Sequence, residues 1–355
     1  MEKLNKTYEK LNRILLKGLY KEDTNLIVSP YSIMMALSMI MDMSAGKSKD
    51  EVKAFLDADD GFIEKLINEV NVSLTEEGFL KCANAVAIRE DFKDKVRNDY
   101  KERFIKLFSG EIFSDENLVS LVNSFVNDST DGMIDSVMDE SMKDVVCAII
   151  NAICFNAGWE KEYEEKDITD GVFNNLDGSK VDVKMLKSIE YDYIETEKLT
   201  GFIKSYKGGH YAFLGLLPNK KGTKGIMEVL EGEDFSSLPE IAAGKVMVRF
   251  PEFKAEYGTD LKELFMNEGV KEVFGLGADF SPISAEPLYI DKLLHKAIIE
   301  VDRHGTRAAA VTAGMVMLGC APGKPKEVTL DRPFVYAVVN LDTKLPVFTG
   351  VINQL

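Results

Sequence analysis

The sequence predicts a fold of the α+β class, because helix-like patterns fill its first part and strand-like patterns its second part. Residues 31–44, which follow Ser29-Pro30, are apolar almost all round and predict a buried helix with a serine N-cap and proline at its first position. The period changes at 145–155, an apolar run suited to a strand covered on both faces. No repeat or linker separates the two parts, so we interpret residues 1–355 as one domain.

The other elements follow from the same patterns. The first 20 residues carry apolar side chains at helical spacing and predict an amphipathic helix. Further predicted helices cover 49–56, 115–139 with an interruption near Asp131-Gly132, and 260–267, which Gly269 ends. The predicted strands are 84–88, 145–155, 201–206, 211–217, 245–253, 295–301, 332–340 and 345–351.

The composition narrows the range of partners. Of the 355 residues 45% are hydrophobic, which is enough for a core and excludes general disorder. The 43 basic residues against 59 acidic residues give a net charge of −16. This charge argues against binding to the nucleic-acid backbone and to anionic membranes, since both depend on Lys and Arg side chains. We therefore expect a neutral or basic partner, and neither nucleic acid nor membrane.

Motifs for catalysis and metal binding do not occur in the sequence. Four cysteines are too few for a disulfide scaffold, and neither CxxC nor HExxH is present. The motifs GxSxG, GxxxxGK[ST] and GxGxxG are also missing. Because acidic residues are so numerous, the sequence does not exclude a catalytic pair of carboxylates. Carboxylates on solvent-exposed helix faces are, however, the usual explanation for such pairs. We expect no enzyme activity, no cofactor and no metal.

One long segment interrupts the series of strands. Residues 305–313 (GTRAAAVTA) are small and mildly polar, and GMVMLGCAPGKPK follows them. About 25 residues thus separate one predicted strand from Asp331. A loop of this length inside a compact domain is either functional or flexible, and its composition alone leaves both open.

Several segments, in the same order along the chain, resemble the serpin family of protease inhibitors. They are NLIVSPYSIMMALSM (25–39), KCANAVAI (81–88), NSFVNDSTDGMI (123–134, with Phe125 where the family has Trp), NAICFNAGWE (151–160), VRFPEF, ADFS, HKAIIEVD and DRPFVYAV…FTGVI. The resemblance covers almost the whole chain. It implies the serpin fold, with three β-sheets, eight or nine helices and an exposed reactive-centre loop at about 303–328.

In this resemblance, the first part of the long segment is the hinge, which converts from loop to strand. The hinge residues are Gly305, Thr306, Arg307, Ala308, Ala309, Ala310, Val311, Thr312 and Ala313. Strand side chains alternate between faces, so Thr306 lies opposite Arg307, and small residues can enter a packed sheet without overpacking it. The chain departs from the family at Arg303 and His304, where inhibitory members usually carry acidic residues.

The resemblance also implies two groups of buried residues at the central sheet. The shutter residues are Ser29, Ser32, Asn151 and His295, and the breach residue is Trp159. Buried polar groups need hydrogen-bond partners, and these bonds must be exchanged when strands part. Taken alone, His295 is better explained as a satisfied core histidine, and Trp159 as ordinary core packing.

The position of the cleaved bond follows from counting along the loop. With Gly305 as the fifteenth residue before it, the bond lies between Gly319 and Cys320; counting back from the next strand leaves Leu318-Gly319 and Cys320-Ala321 as alternatives. None of these offers Arg or Lys, which disfavours trypsin-like proteases. Small and aliphatic residues suit elastase-like or subtilisin-like proteases, and Leu318 suits chymotrypsin-like ones. We interpret Cys320 as an exposed thiol without a role; the alternatives are redox sensitivity and recognition by cysteine proteases.

The resemblance therefore implies a serine protease inhibitor that acts as a suicide substrate: the cleaved loop inserts into the central sheet and traps the acyl-enzyme. The alternative is a non-inhibitory serpin that serves as a binding or storage protein. We expect a monomer, located outside the cell or at its surface after removal of a signal that is not present in this chain. A cytoplasmic location is the alternative.

Overall fold

The structure is a computed structural model and describes residues 2–75, 77–306 and 326–355. The helices are α1 (Glu2–Leu19), α2 (Pro30–Met43), α3 (Gly46–Phe55), α4 (Phe62–Lys65), α5 (Val72–Thr75), α6 (Asn98–Phe108), α7 (Leu118–Ser129), α8 (Gly222–Gly232), α9 (Leu238–Ile241) and α10 (Lys262–Asn267). A π-helical segment, Leu66–Asn71, joins α4 to α5. With 62–75 counted as one helix, the described residues contain nine helices.

The strands follow the same chain order. They are β1 (Leu26–Val28), β2 (Leu80–Ile88), β3 (Glu111–Phe113), β4 (Cys147–Phe155), β5 (Ala157–Gly158), β6 (Ile168–Asn174), β7 (Lys180–Glu190), β8 (Tyr193–Glu195), β9 (Leu199–Ser205), β10 (Tyr211–Pro218), β11 (Val246–Pro251), β12 (Phe253–Asp260), β13 (Lys292–Val301), β14 (Gly305–Thr306), β15 (Lys326–Thr329), β16 (Phe334–Asn340) and β17 (Leu345–Ile352). In the described residues they form three sheets, as predicted.

The chain divides into two compact units. The first contains Met1–Pro30, Phe155–Tyr257 and Ile298–Leu355, and the second contains Tyr31–Cys154 and Gly258–Ala297. Each unit combines segments that are distant in the sequence. The interpretation of the chain as a single domain stays a prediction.

Two sheets belong to the first unit. The six-stranded sheet has the order β1-β17-β16-β10-β9-β8, and the four-stranded sheet has the order β15-β11-β7-β6. The apolar face of α1 is buried, as its helical spacing predicts, and the hydroxyl of Tyr8 donates to the carbonyl of Pro346 over 2.9 Å. The strand β15 runs parallel to β11, with Val248 opposite Val328. The strand β15 therefore forms one edge of the four-stranded sheet.

The third sheet has seven strands. The strands of this sheet in the second unit have the spatial order β3-β2-β4-β13. In the first unit, the end of β13 is next to β14, and β14 is next to β5. The strand β12 also pairs with β13. Every residue of β4 is buried, which confirms the prediction of a strand covered on both faces. The helix α2 is also buried along its whole length.

The prediction of a helix over 115–139 is wrong after Ser129, where α7 ends. Asp131 and Gly132 adopt positive φ values of 51° and 72°, which a helix cannot continue. Beyond them, the side-chain oxygen of Asn123 accepts hydrogen bonds from the backbone amides of Val137 and Met138, at 2.9 and 3.0 Å. These bonds replace the intrahelical bonds that the sequence pattern predicts.

Candidate functional site

The beginning of the predicted hinge already forms a strand in the structure. In the first unit, Thr306 of β14 is opposite Val301 of β13 on one side and Ala157 of β5 on the other, and Gly305 is opposite Gly158. A Cβ atom on Gly305 would lie 2.2 Å from the carbonyl oxygen of Ala157, so only glycine fits between these strands. The first two hinge residues are therefore seated in the sheet.

Thr306 is fully buried and joins an aromatic group. It has 0% relative exposure, and its hydroxyl lies 2.7 Å from the hydroxyl of Tyr206. The ring of Tyr206 stacks on Trp159, with centroids 4.5 Å apart and an interplanar angle of 14°. Burial raises the pKa of Tyr206 well above its usual value, so the phenol stays neutral and able to donate a hydrogen bond.

Trp159 holds the turn that precedes the hinge. Its indole nitrogen donates to the carbonyl of Asp302 over 2.8 Å, and its backbone amide donates to the carbonyl of His304 over 2.9 Å. The carboxylate of Asp302 accepts from the backbone amides of His304 and Gly305, at 2.7 and 3.1 Å. Hydrogen bonds thus connect Asp302 to His304 and Gly305 within the turn, and they connect Asp302 and His304 to Trp159.

A buried lysine that the sequence analysis does not predict lies beside this aromatic group. The side chain of Lys204 is 4% exposed, and its ammonium nitrogen lies 4.5 Å from the ring centroid of Tyr163 and 5.3 Å from that of Trp159. It is also 3.2 Å from a carboxylate oxygen of Glu190. Burial lowers the pKa of Lys204, while the carboxylate and the ring faces favour its charged form. The signal in the sequence is a lysine inside the apolar strand 199–205.

Three of the four predicted shutter residues meet in the second unit. The side-chain oxygen of Asn151 on β4 accepts from the hydroxyl of Ser32 on α2 and from Nδ1 of His295 on β13, at 3.2 Å. Its amide nitrogen donates to Oδ1 of Asn84 over 2.8 Å, and Asn84 in turn donates to the carbonyl of Phe108 over 3.1 Å. Asn84 is a member that the predicted set lacks, although its strand is part of the resemblance.

All four side chains in this network are buried, which determines the protonation of the histidine. Burial lowers the pKa of His295 to about 3, so the imidazole is neutral and carries its proton on Nδ1, where Asn151 accepts it. The fourth predicted residue, Ser29, belongs to the first unit and is buried there. The shutter role of these residues stays a prediction.

Comparison with known proteins identifies the family. The family model described as "Serpin (serine protease inhibitor)" matches residues 7–355. The chain belongs to the serpin family. It is 30% identical to alpha-1-antiproteinase 2 of Equus caballus, over 92% of this chain and 80% of that protein. It is 28% identical to an uncharacterized serpin-like protein of Thermococcus kodakarensis, over 95% of this chain and 82% of that protein.

Solved serpin structures have the same fold. The thermophilic serpin tengpin in its native state superposes with a TM-score of 0.87 at 29% identity, over 100% of this chain and 95% of tengpin. Native protease nexin-1 with heparin gives a TM-score of 0.85 at 22% identity, over 100% of this chain and 98% of that chain, and supports the fold alone. The predicted serpin fold is confirmed.

The described residues include both ends of the predicted reactive-centre loop (303–328). The predicted hinge residues Gly305 and Thr306 lie near its start, and β15 begins at its end. The remaining predicted loop positions lie outside the described residues; they are the hinge residues Arg307, Ala308, Ala309, Ala310, Val311, Thr312 and Ala313 and the cleavage-site residues Leu318, Gly319, Cys320 and Ala321.

Two further observations concern the described part of this serpin. Among residues 2–75, 77–306 and 326–355, no group of three or more His, Cys, Asp and Glu side chains is arranged to hold a metal ion. None of the helices in these ranges has the length and apolar character that crossing a membrane requires.

Proposed function

We propose that this serpin inhibits serine proteases as a suicide substrate. The observation that supports the proposal best is the strand β14, because Gly305 and Thr306 already occupy the gap between β13 and β5. After cleavage, the residues that follow Thr306 can extend β14 along β13. Each added residue advances the strand by about 3.3 Å, so the 14 residues from Thr306 to Gly319 carry an attached protease on the order of 45 Å.

Extension of β14 must separate β13 from β4, which are neighbours in the second unit. The hydrogen bond between His295 on β13 and Asn151 on β4 joins these two strands, so it has to be exchanged as they part. A buried polar group that loses its partner costs about 1–3 kcal/mol. The network therefore resists opening until the inserting strand supplies new backbone partners, which is the behaviour expected of a kinetically trapped native state.

The composition of the loop supports the choice of target proteases. Candidate residues Leu318, Gly319 and Cys320 are small or aliphatic, so we propose elastase-like, subtilisin-like or chymotrypsin-like serine proteases as partners of a monomeric inhibitor. Released serine proteases act outside cells. Since we propose that this chain inhibits such proteases, we also propose that it is located outside the cell or at the cell surface.

The test is incubation with pancreatic elastase, subtilisin and chymotrypsin, followed by SDS gel electrophoresis and mass spectrometry of the released peptide. We expect a complex that survives SDS, and a peptide mass that identifies the cleaved bond. Complete cleavage by all three proteases without a complex would contradict the proposal. In that case, an unchanged thermal midpoint after cleavage would favour a non-inhibitory binding or storage protein.

A further inference from the structure

One short segment, which runs from Trp159 to Tyr163, holds the turn before the hinge at three points. The indole nitrogen and the backbone amide of Trp159 donate to the carbonyls of Asp302 and His304, over 2.8 and 2.9 Å. The backbone amide of Tyr163 donates to the carbonyl of Arg303 over 3.0 Å. All three carbonyls of the turn thus have partners in this segment, so the turn keeps its place only while the segment keeps its own.

The ammonium of Lys204 lies against the same segment. It is 5.3 Å from the ring centroid of Trp159 and 4.5 Å from that of Tyr163. It also donates to the carbonyl of Lys161, which is between them in the chain, over 3.4 Å. Its counter-ion is Glu190 at the end of β7, 3.2 Å away. One cation therefore contacts both anchoring residues and the backbone that joins them.

The burial of Lys204 strengthens these contacts. Its side chain is 4% exposed, and Trp159 is fully buried, so little water screens the charge. A desolvated cation is attracted to an aromatic ring more strongly than an exposed one, and the carboxylate of Glu190 favours the charged form of the lysine. An apolar side chain of similar length would fill the same space without this attraction. The hold on the segment therefore depends on charge rather than on volume.

Trp159 connects Lys204 to the hinge itself. The indole stacks on Tyr206, and the hydroxyl of Tyr206 lies 2.7 Å from that of Thr306. Thr306 is one of the two hinge residues that are seated between β13 and β5. A shift of the indole would therefore disturb the turn and the first buried side chain of the hinge together.

We propose that Lys204 is a positioning residue for the hinge. Its buried charge holds Trp159 and Tyr163 where they bind the turn, and the turn keeps the first two hinge residues between β13 and β5. Without this charge, the indole and the turn separate more often, and insertion of the cleaved loop starts more often from an unseated hinge. The effect on inhibition rests on the proposed function, whereas the effect on the turn does not.

The test uses a variant that removes the charge without leaving a buried acid unpaired, Lys204→Met/Glu190→Gln. This double variant keeps the approximate volume of both side chains, so a role in packing alone would leave the turn unchanged. The matched control is Tyr163→Phe, which removes the hydrogen bond of 3.0 Å between the hydroxyls of Tyr163 and Ser188. The control keeps the aromatic ring and the backbone amide. Both variants thus lose a polar interaction beside the segment, but only the first loses the cation.

The turn can be measured without a protease, because Trp159 is the only tryptophan of the chain and its indole proton gives a single NMR signal. Exchange of a buried proton with solvent follows the local opening equilibrium, so this proton reports how often the indole leaves the carbonyl of Asp302. The rate is expressed relative to the backbone amides of β4, whose residues are all buried, so that a general loss of stability cancels.

We expect indole exchange to be about 5- to 30-fold faster in the double variant than in the wild type, and unchanged in Tyr163→Phe. Equal exchange in the double variant and the wild type would overturn the proposal. An equal acceleration in Tyr163→Phe would overturn it too, because that variant keeps the cation.

The second readout is the ratio of SDS-stable complex to cleaved chain, measured with a protease that the wild type inhibits. We expect this ratio to fall in the double variant and to keep the wild-type value in Tyr163→Phe. If indole exchange accelerates as expected and the wild type inhibits no protease, the proposed function fails while the positioning role stands. Faster exchange with an unchanged ratio would contradict the role in inhibition.

Discussion

Replacement of Thr306 by arginine tests whether the seated hinge matters for inhibition. The Thr306 side chain is fully buried, and its hydroxyl lies 2.7 Å from that of Tyr206, above the Trp159 stack. An arginine at this position would place an unpaired guanidinium between two strands, or would withdraw β14 from the sheet. Burial of an unpaired charge costs several kcal/mol, so withdrawal is the expected response.

Two smaller changes at the same position give the magnitude of the effect on the ratio of seated to unseated hinge. Thr306→Val keeps the shape and leaves the buried hydroxyl of Tyr206 unpaired, which costs about 1–3 kcal/mol. Since about 1.4 kcal/mol is tenfold in an equilibrium constant, the ratio of seated to unseated hinge should fall about 5- to 150-fold. Thr306→Ser keeps the hydroxyl and is the matched control.

The assay measures the fraction of serpin found in the SDS-stable complex and the fraction found as cleaved chain. We expect Thr306→Arg to be cleaved at the same bond as the wild type without forming a complex, Thr306→Val to form less complex, and Thr306→Ser to behave like the wild type. The thermal midpoint of uncleaved Thr306→Arg should change little, because withdrawal of two residues exposes little surface. A complex with Thr306→Arg at the wild-type yield, or equal yields for the valine and serine variants, would refute the reasoning.

Three further predictions concern stability and are measured by urea unfolding. Burial lowers the pKa of His295 to about 3, so the unfolded chain takes up this proton first as the pH falls below about 6.5; the wild type should lose about 2 kcal/mol more than His295→Gln between pH 7 and 5. Burial, aided by nearby Asp234, raises the pKa of Glu9 to about 7, so the folded state loses stability as this carboxyl ionises. We therefore expect Glu9→Gln to be more stable than the wild type by about 1–3 kcal/mol at pH 8, and equally stable at pH 4. Lys204→Met should lower the free energy of unfolding by about 3 kcal/mol, because Glu190 is left without its cation. The double variant Lys204→Met/Glu190→Gln should recover most of this loss. Equal losses in the single and the double variant would contradict the ion-pair account.

The long apolar and periodic segments could be predicted from the sequence. The buried helix α2, the covered strand β4 and the amphipathic helix α1 follow from patterns that depend on burial alone. The strands β6 and β7 do not appear among the predicted elements. Most residues of β7 are exposed or half-buried, so it lacks the apolar run by which the other strands are predicted.

The candidate site divides in a similar way. The resemblance names Thr306, Trp159 and the shutter residues, because their motifs occur in this sequence. It does not provide Tyr206 or Glu162, whose contacts are with residues about 100 and 142 positions away in the sequence. Such contacts have no local pattern, so only the fold reveals them. For the same reason, the sequence shows that the charge at 303–304 departs from the family pattern but not that Glu162, Glu165 and Glu252 lie beside these two residues.

Under the proposed mechanism, insertion of the loop would have two energetic stages that depend on different residues. In the first unit, contacts of Thr306, His304 and Trp159 determine whether the hinge is in the sheet when cleavage occurs. In the second unit, the bond between His295 and Asn151 determines how easily β13 leaves β4. Seating does not break the second bond, so the stages should respond independently to mutation. A hinge variant should change the partition between complex and cleaved chain with little effect on the stability of the uncleaved protein. A shutter variant, by contrast, should change that stability, because its bonds are intact only while the sheet is closed.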